Sequence, residues 1–181
     1  MKTGLLFLLM LPTLLFAEGT MKKIDLKASS LEWHGAKVTG KHFGKVPFKS
    51  GEVKMSEGKI LEGTFVADLT KFTVDDLKGE WATKFLNHMK SDDFFNVEKH
   101  PTAKLKITKV TDKKMSGDLT IRGKTNPVSF EYKKDENVYS GEMVFDRTKF
   151  DMRYGSKNFF KNLGDKVIYN DVKVNFKFVL K

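Results

Sequence analysis

The feature that most constrains the fold is a period-two alternation of apolar and polar residues. In the segment 104–108, Leu105 and Ile107 alternate with lysine and threonine, and the segment 172–178 repeats this pattern most regularly. Such alternation is typical of a strand with one buried face and one solvated face. We count eight segments of this kind, several interrupted by the glycines that a curved sheet needs. Many short antiparallel strands with turns between them predict an all-β barrel or sandwich.

One segment changes to a helical period. Between Asp75 and Lys90 the apolar residues fall four positions apart, which predicts one amphipathic helix. We expect Thr73 or Asp75 to cap its start, because both side chains accept hydrogen bonds from free helix amides. A short helical turn is also predicted over 158–163, ended by a glycine.

The beginning of the chain resembles a secretory signal peptide. Lys2 precedes a short apolar run over 5–16, which is too short to span a bilayer. We expect cleavage after Ala17, so that 1–17 is a signal peptide and 18–181 a single domain. The mature protein is then expected in the periplasm or outside the cell. No later segment is apolar enough to cross a membrane.

The net charge of +10 comes from 33 basic and 23 acidic residues. The lysines are spread over the polar positions of the strands, which favours a solvated surface over a nucleic-acid-binding patch. A basic module for a membrane or nucleic acid stays open as another class, and steep salt dependence of binding would identify it. Transient contact with a membrane surface and a homodimer are both left open. The absence of cysteine excludes disulfides, thiolate nucleophiles and cysteine metal sites.

One segment superficially resembles a phosphate-binding loop. The sequence GDLTIRGKT at 117–125 places five residues, instead of four, between Gly117 and Gly123. Pro127 follows, so no helix begins there to bind phosphate. A hairpin turn over 123–127 is the better interpretation.

Catalytic and metal sites are not expected. The four histidines lack the HxH and HExxH spacings, although two of them share parity in separate strands; they are His34, His42, His88 and His100. Acidic pairs such as Asp92 with Asp93, or Asp146 with Asp151, occur without a nucleophile elbow. We expect Asp146 to bind Arg147 through buried, charge-assisted hydrogen bonds instead.

Three motifs occur in this order: SDDFFNV at 91–97, HPTA at 100–103 and GDLTIRGKTNPV at 117–128. Their order and spacing resemble the YceI-like family of lipid-binding proteins. The run WHGAKVTGKHFG at 33–44 and the run DRTKFDMRYGS at 146–156 resemble motifs of the same family. The resemblance covers 31–180.

This resemblance implies an elongated, eight-stranded, antiparallel, lipocalin-like β-barrel with a helix near its mouth. A barrel of eight strands is wide enough either to be filled by its own side chains or to hold one slender ligand. The residues alone do not distinguish a filled barrel from one that holds a ligand, and the resemblance favours a tunnel. It implies an exported, non-enzymatic carrier or storage protein for a polyisoprenoid, an isoprenoid quinone or another long-chain amphiphilic lipid. No metal and no cofactor other than this lipid are implied.

The predicted tunnel residues are the large apolar side chains at the inward strand positions, on the helix and in the aromatic turns: Trp33, Phe43, Phe48, Phe65, Trp81, Phe85, Met89, Phe94, Leu105, Ile107, Leu119, Ile121, Phe130, Met143, Phe145, Tyr154, Phe176 and Phe178. An enzyme that acts on a bound lipid or quinone at the barrel mouth is the alternative function. It would need a convergent polar site, for which Tyr154, Arg147 and His42 are the candidates.

Overall fold

The computed structural model describes residues 19–181, so the predicted signal peptide at 1–17 lies outside the described residues. The described chain is mostly β, with one α-helix, α1 (Gly79–Lys90), and short 3-10 helices at Leu69–Lys71, Arg147–Phe150 and Gly164–Lys166. The strands are β1 (Thr20–Lys23), β2 (Ser30–Lys37), β3 (Gly40–Lys45), β4 (Phe48–Ser56), β5 (Lys59–Asp68), β6 (Thr102–Val110), β7 (Lys114–Ile121), β8 (Lys124–Asp135), β9 (Val138–Asp146) and β10 (Asp171–Val179).

The strands form one curled antiparallel sheet in the order β1-β4-β5-β6-β7-β8-β9-β10-β2-β3. The antiparallel β architecture with one helix is therefore confirmed, but the predicted count of eight strands is wrong, because there are ten. One of the eight alternating segments counted in the sequence covers 43–53, and it is divided near Pro47 into β3 and β4, since proline cannot donate to a strand ladder. The other extra strand, β1, is exposed at all four positions and shows no alternation.

The two edges of the sheet, β1 and β3, are covered in different ways. Beside β3, the N–H of Thr73 donates to Lys45 O at 2.9 Å and the N–H of Asp75 donates to Phe43 O at 2.8 Å. At the end of β1, a bridge joins Ile24 to Leu180 just after β10. Covering an edge in this way removes free backbone groups that would otherwise pair with another chain.

The helix α1 begins at Gly79, four positions later than the predicted start. Its N-cap residue is Lys78, which makes no side-chain capping bond. The predicted caps, Thr73 and Asp75, are wrong because both belong to the segment that covers β3, where the Thr73 hydroxyl donates to Asp75 Oδ1 at 2.9 Å. Among the helices of residues 19–181, none combines the length and apolar character that crossing a bilayer requires.

The segment between β9 and β10 contains a helical turn in a different place from the one predicted. The 3-10 helix occupies Gly164–Lys166 and not 158–163. The N–H groups of Phe159 and Phe160 both donate to Ser156 O at 3.0 Å, which makes turns there. Gly164, with a φ of +51°, is the first residue of this later 3-10 helix and does not end an earlier one.

Candidate ligand-binding site

The concave face of the curled sheet encloses an apolar interior cavity of about 120 Å³. Inward and outward side chains alternate along each strand, so every second residue of the central strands reaches this space. Predicted residues that line it are Trp33, Phe48, Phe65, Leu105, Ile107, Leu119, Ile121, Phe130, Met143, Phe145, Phe176 and Phe178. Their inward placement agrees with the alternation, while their role in binding a lipid stays a prediction.

A second, larger cavity of about 540 Å³ lies beside the interior cavity, and we call it the mouth cavity. It is bordered by α1, by the β2–β3 hairpin and by the segment between β9 and β10. Four predicted residues line it and not the interior cavity: Phe85, Met89, Phe94 and Tyr154. Unlike the interior, it is also lined by polar and charged side chains: Lys37, Thr39, His42, His88, Arg147, Asp165 and Lys166.

Trp33, Phe72, Phe95 and Val172 border both cavities, and we call these four residues the aromatic constriction. The ring of Trp33 stacks on that of Phe72, and the Phe72 and Phe95 rings are tilted with their centroids 5.6 Å apart. The indole Nε1 of Trp33 donates to Thr73 O at 2.9 Å, which fixes the orientation of its ring. Phe72 and Phe95 were not predicted to line a cavity, because neither lies in an alternating strand.

One polar pair at the mouth is formed by His42 and Asp76. Nδ1 of His42 lies 2.7 Å from Asp76 Oδ2, and the N–H of Phe43 donates to Asp76 Oδ1 at 3.1 Å. Burial acts to raise the pKa of Asp76, but the bonds from Phe43 and His42 together hold this pKa below its ordinary value. The pair therefore keeps a carboxylate charged beside the mouth cavity.

A second polar pair joins α1 to the aromatic turn after it. Nε2 of His88 lies 3.1 Å from Asp93 Oδ2. The imidazole also packs edge-on against the rings of Tyr154 and Phe94, with centroids 4.6 and 5.1 Å away. Tyr154 is 45% exposed, so it lies at the rim of the mouth cavity and not in the tunnel interior where it was predicted.

Arg147 is only 2% exposed and binds backbone carbonyl groups. Its guanidinium donates to the carbonyl oxygens of Met152, Ile168 and Tyr169. The carboxylate of Asp146 instead accepts from the N–H and hydroxyl of Thr148, at 2.8 and 2.6 Å. The predicted hydrogen-bonded pair of Asp146 and Arg147 is therefore wrong, because Asp146 caps the 3-10 helix Arg147–Phe150.

The burial and hydrogen bonds of Arg147 affect both its pKa and the wall of the mouth cavity. Burial lowers the pKa of Arg147, and the nearby negative charge of Asp146 partly offsets this effect. Because its donors are directed at carbonyl oxygens, Arg147 holds the segment between β9 and β10 against the mouth. It supports the cavity wall, which is a different role from the polar catalytic group of the alternative function.

Arg122 connects three of the sequence motifs, a role that the sequence reasoning missed. Its Nη1 donates to Phe94 O at 2.7 Å and to Asp151 O at 3.1 Å, and its Nη2 donates to Asp92 Oδ1 at 3.0 Å. The backbone of Arg122 has a φ of +50°, which is uncommon outside glycine. The feature of the sequence that could have indicated this role is a basic residue directly before Gly123 in a tight turn.

Two predicted tunnel residues lie outside both cavities. Trp81 is 72% exposed near the start of α1 and lines neither cavity. In the β2–β3 ladder, Trp33 faces Gly44 while His34 faces Phe43. Phe43 therefore points outward and stacks on His34, with centroids 5.9 Å apart. The placement of both residues in the tunnel was wrong.

The histidine alternative for a metal site also fails in its geometry. His34 lies on the outer face, 2.7 Å from Glu32 Oε1, whereas His42 lines the mouth cavity. Within residues 19–181, no group of three or more potential ligands is placed to hold a metal ion.

The three candidates for a catalytic polar site, Tyr154, Arg147 and His42, all border the mouth cavity. No hydrogen bond in the described chain joins any two of these three.

The family model of the YceI-like domain matches residues 23–180. A curated relative, the UPF0312 protein of Shewanella denitrificans, is 31% identical over 86 residues, which are 45% of this chain and 43% of the relative. The chain therefore spans less than half the length of this curated relative. This partial similarity adds to the match of the family model.

Two solved structures share the fold at low sequence identity. BcnA of Burkholderia cenocepacia superposes with a TM-score of 0.67 at 19% identity, covering 87% of this chain and 99% of BcnA. A polyisoprenoid binding domain from Saccharophagus degradans, implicated in plant cell wall breakdown, gives a TM-score of 0.59 at 14% identity, covering 88% and 97%. Because the family model covers nearly all of the described residues, the chain belongs to the YceI-like domain family.

Proposed function

We propose that this protein is an exported, non-enzymatic carrier or storage protein for a long-chain amphiphilic lipid. The lipid is a polyisoprenoid, an isoprenoid quinone or a similar molecule, with its tail in the interior cavity and its head group in the mouth cavity. The observation that carries the proposal is the pairing of an apolar interior with a polar mouth across the aromatic constriction. An amphiphile has the same division between an apolar and a polar end.

Transfer of an apolar tail from water into the protein is energetically favourable. Burial of each methylene group is worth about 0.8 kcal/mol, so about 20 enclosed carbons give roughly 16 kcal/mol before the costs of association. A tail that is already in a bilayer gains little from the transfer, because lipid tails are as apolar as the cavity wall. Such a protein is suited to carry lipid through an aqueous compartment.

The size of the interior cavity adds a requirement to the proposal. Its volume of about 120 Å³ is close to that of cavities of about 150 Å³ that bind one benzene molecule. A long chain therefore needs the mouth cavity as well, and the rings of the aromatic constriction must move aside to admit it. The relationship to the polyisoprenoid binding domain of Saccharophagus degradans supports the choice of ligand class.

The proposal includes export through the predicted signal peptide. N-terminal sequencing of the exported protein is expected to begin at or near Glu18. A protein that retains Met1 in the membrane fraction would contradict export without affecting the fold.

Native mass spectrometry of the purified protein, followed by extraction of its lipid, tests the ligand directly. Uptake of a fluorescent polyprenyl probe by delipidated protein then compares Ile121→Trp with Val144→Trp. Ile121 lines the interior cavity, whereas Val144 is 43% exposed on the outer face of β9. We expect Ile121→Trp to block uptake and Val144→Trp to preserve it, with thermal unfolding recorded for both.

Two results would contradict the proposal. Uptake by folded Ile121→Trp equal to that of the wild type would mean that the interior cavity is not the binding site. Recovery of a chemically altered probe after incubation would support the alternative of an enzyme at the mouth.

A further inference from the structure

We propose that the rim of the mouth cavity is a docking surface for a lipid bilayer that contains anionic lipids. This docking proposal rests on the proposed function, because docking explains how lipid reaches the mouth cavity. We define the rim by its exposed aromatic residues, which are Trp81, Tyr154, Phe159, Phe160 and Tyr169.

The distribution of exposed aromatic residues is the first observation. Within residues 19–181 five aromatic side chains are exposed, with exposures from 45% to 72%, and these are the five residues of the rim. One lies on α1 and the other four lie in the segment 153–169. The exposed large aliphatic side chains elsewhere, such as Met21, Leu61 and Val144, are separate residues on strands. Single exposed apolar residues are ordinary, whereas a group of aromatic ones marks an interaction surface.

The rim residues lie on the chain segments that border the mouth cavity. Tyr154 and Tyr169 line the cavity itself, as does Phe85, which lies one helical turn after Trp81. The segment 153–169 is attached to the β2–β3 hairpin, because Val38 N–H donates to Val167 O at 3.1 Å. The exposed aromatic side chains thus belong to the same chain segments that form the cavity walls.

The charge of the rim is the second observation. The segment 153–169 contains the basic residues Arg153, Lys157, Lys161 and Lys166 and one acidic residue, Asp165, which leaves a net charge of +3. On α1, Nζ of Lys84 lies 5.5 Å from the centre of the Trp81 ring and 2.7 Å from Glu80. Basic groups near an anionic bilayer are attracted to its head groups. The rim therefore complements anionic head groups.

Aromatic and basic residues together are the composition that proteins use at a membrane interface. Tryptophan and tyrosine are enriched at the level of the head groups, where one side of the ring is apolar and the other is wet. Lysine side chains keep their charge in water while their stems cover apolar surface. Docking through the rim would place the mouth cavity against the bilayer, so a lipid could move between them without crossing water.

Vesicle co-sedimentation tests the proposal, with vesicles of phosphatidylcholine alone or mixed with phosphatidylglycerol. We expect the wild type to bind the mixed vesicles at least tenfold more tightly than the neutral ones, and to release them in high salt. The variant Trp81→Ala and the double variant Phe159→Ser with Phe160→Ser should each weaken binding several-fold. The control Leu61→Ser removes an exposed apolar residue on β5, away from the rim, and should bind like the wild type.

Fluorescence gives a second readout, because the chain has two tryptophans and one of them, Trp33, is buried. We expect the emission of the wild type to shift to shorter wavelength on mixed vesicles, and Trp81→Phe to lose this shift. Failure of the wild type to bind mixed vesicles would overturn the proposal, and so would equal loss of binding in Leu61→Ser.

The same variants separate docking from the proposed function. Trp81 lies outside both cavities, so Trp81→Ala should still take up the polyprenyl probe in vesicle-free solution. Probe uptake without vesicle binding would overturn docking alone. Vesicle binding without probe uptake would overturn the proposed function and leave docking supported.

Discussion

The indole ring of Trp33 stacks on the ring of Phe72, with centroids 4.7 Å apart and ring planes 18° apart. Trp33 belongs to β2, whereas Phe72 follows the 3-10 helix after β5, so the stack joins two parts of the chain that are distant in sequence. Both residues border the interior cavity and the mouth cavity. The stack is therefore the point at which a lipid tail must pass in the proposed function.

Phe72→Leu should open this passage. Removal of the ring loses a stacking interaction worth about 0.5–1.5 kcal/mol, and we expect uptake and release of a polyprenyl probe to become several-fold faster. Stopped-flow fluorescence measures both rates. The control is Phe150→Leu, at a ring that is 1% exposed, packs edge-on against Phe145 and borders neither cavity. Equal acceleration in the control would show that loss of stability, not the passage, changes the rates.

Arg147→Ala should destabilise the fold strongly. It leaves three carbonyl groups without their donor, and each unsatisfied buried polar group costs about 1–3 kcal/mol. Arg147→Lys should recover only part of this, because an ammonium group does not present a planar fork of donors. Chemical denaturation measures the free energies of unfolding.

Asp146→Asn is the matched variant for the Arg147 experiment. The amide oxygen of asparagine can still accept from Thr148, so we expect a much smaller loss of stability than in Arg147→Ala. A loss as large as that of Arg147→Ala would restore the ion pair of Asp146 and Arg147 as the stabilising interaction.

Asp76 should make stability depend on acid pH. Its pKa in the folded protein is lower than the ordinary value, so its contribution is complete above the unfolded pKa of about 3.9 and is lost as pH falls through the folded pKa. We expect Asp76→Asn to have a lower Tm than the wild type at pH 7, and the difference to shrink below about pH 4. Thermal unfolding from pH 2 to pH 8 tests this. A difference that is constant with pH would rule out the charge as its cause.

Gly44→Ala should disturb the covered edge of β3. A Cβ at this position would lie 2.2 Å from Thr73 O, so the backbone must shift and weaken the bonds that attach the segment after β5. We expect a loss of about 1–3 kcal/mol, as for overpacking of a core. Gly40→Ala is the control, because no atom lies within 4 Å of its Cβ, and it should change stability by less than about 1 kcal/mol. Urea unfolding compares the two.

The sequence predicted best where one physical pattern acts alone. In β6 the alternation around Leu105 and Ile107 agrees with the position of both residues on the interior cavity, since a strand with one buried face must alternate. The helical period likewise located α1 and the inward positions of Phe85 and Met89. The resemblance of the motifs predicted the family, which the family model confirms.

The errors arose where contacts between distant segments decide the structure. Phe43 was assigned inward, but the register of β3 against β2 places His42 on that face instead. Asp146 and Arg147 are neighbours of opposite charge, yet they do not pair. Arg147 donates to backbone carbonyl groups, and Asp146 accepts from Thr148. Neither outcome can be read from local spacing. Phe72 joins the cavity only because the chain turns back after β5.

The pairing of β2 with β10 has a consequence for folding kinetics. Asn175 lies within hydrogen-bonding distance of His34 across 141 positions of the sequence, and Val179 N–H donates to Ser29 Oγ across 150. Contacts of such high sequence separation form slowly, because the entropy of closing a long loop is lost before the contacts stabilise the structure. The wall of the interior cavity that Trp33 and Val174 share cannot exist before β10 has been synthesised and has docked. In the proposed function, capture of a lipid in the interior cavity therefore has to follow the pairing of β10 with β2.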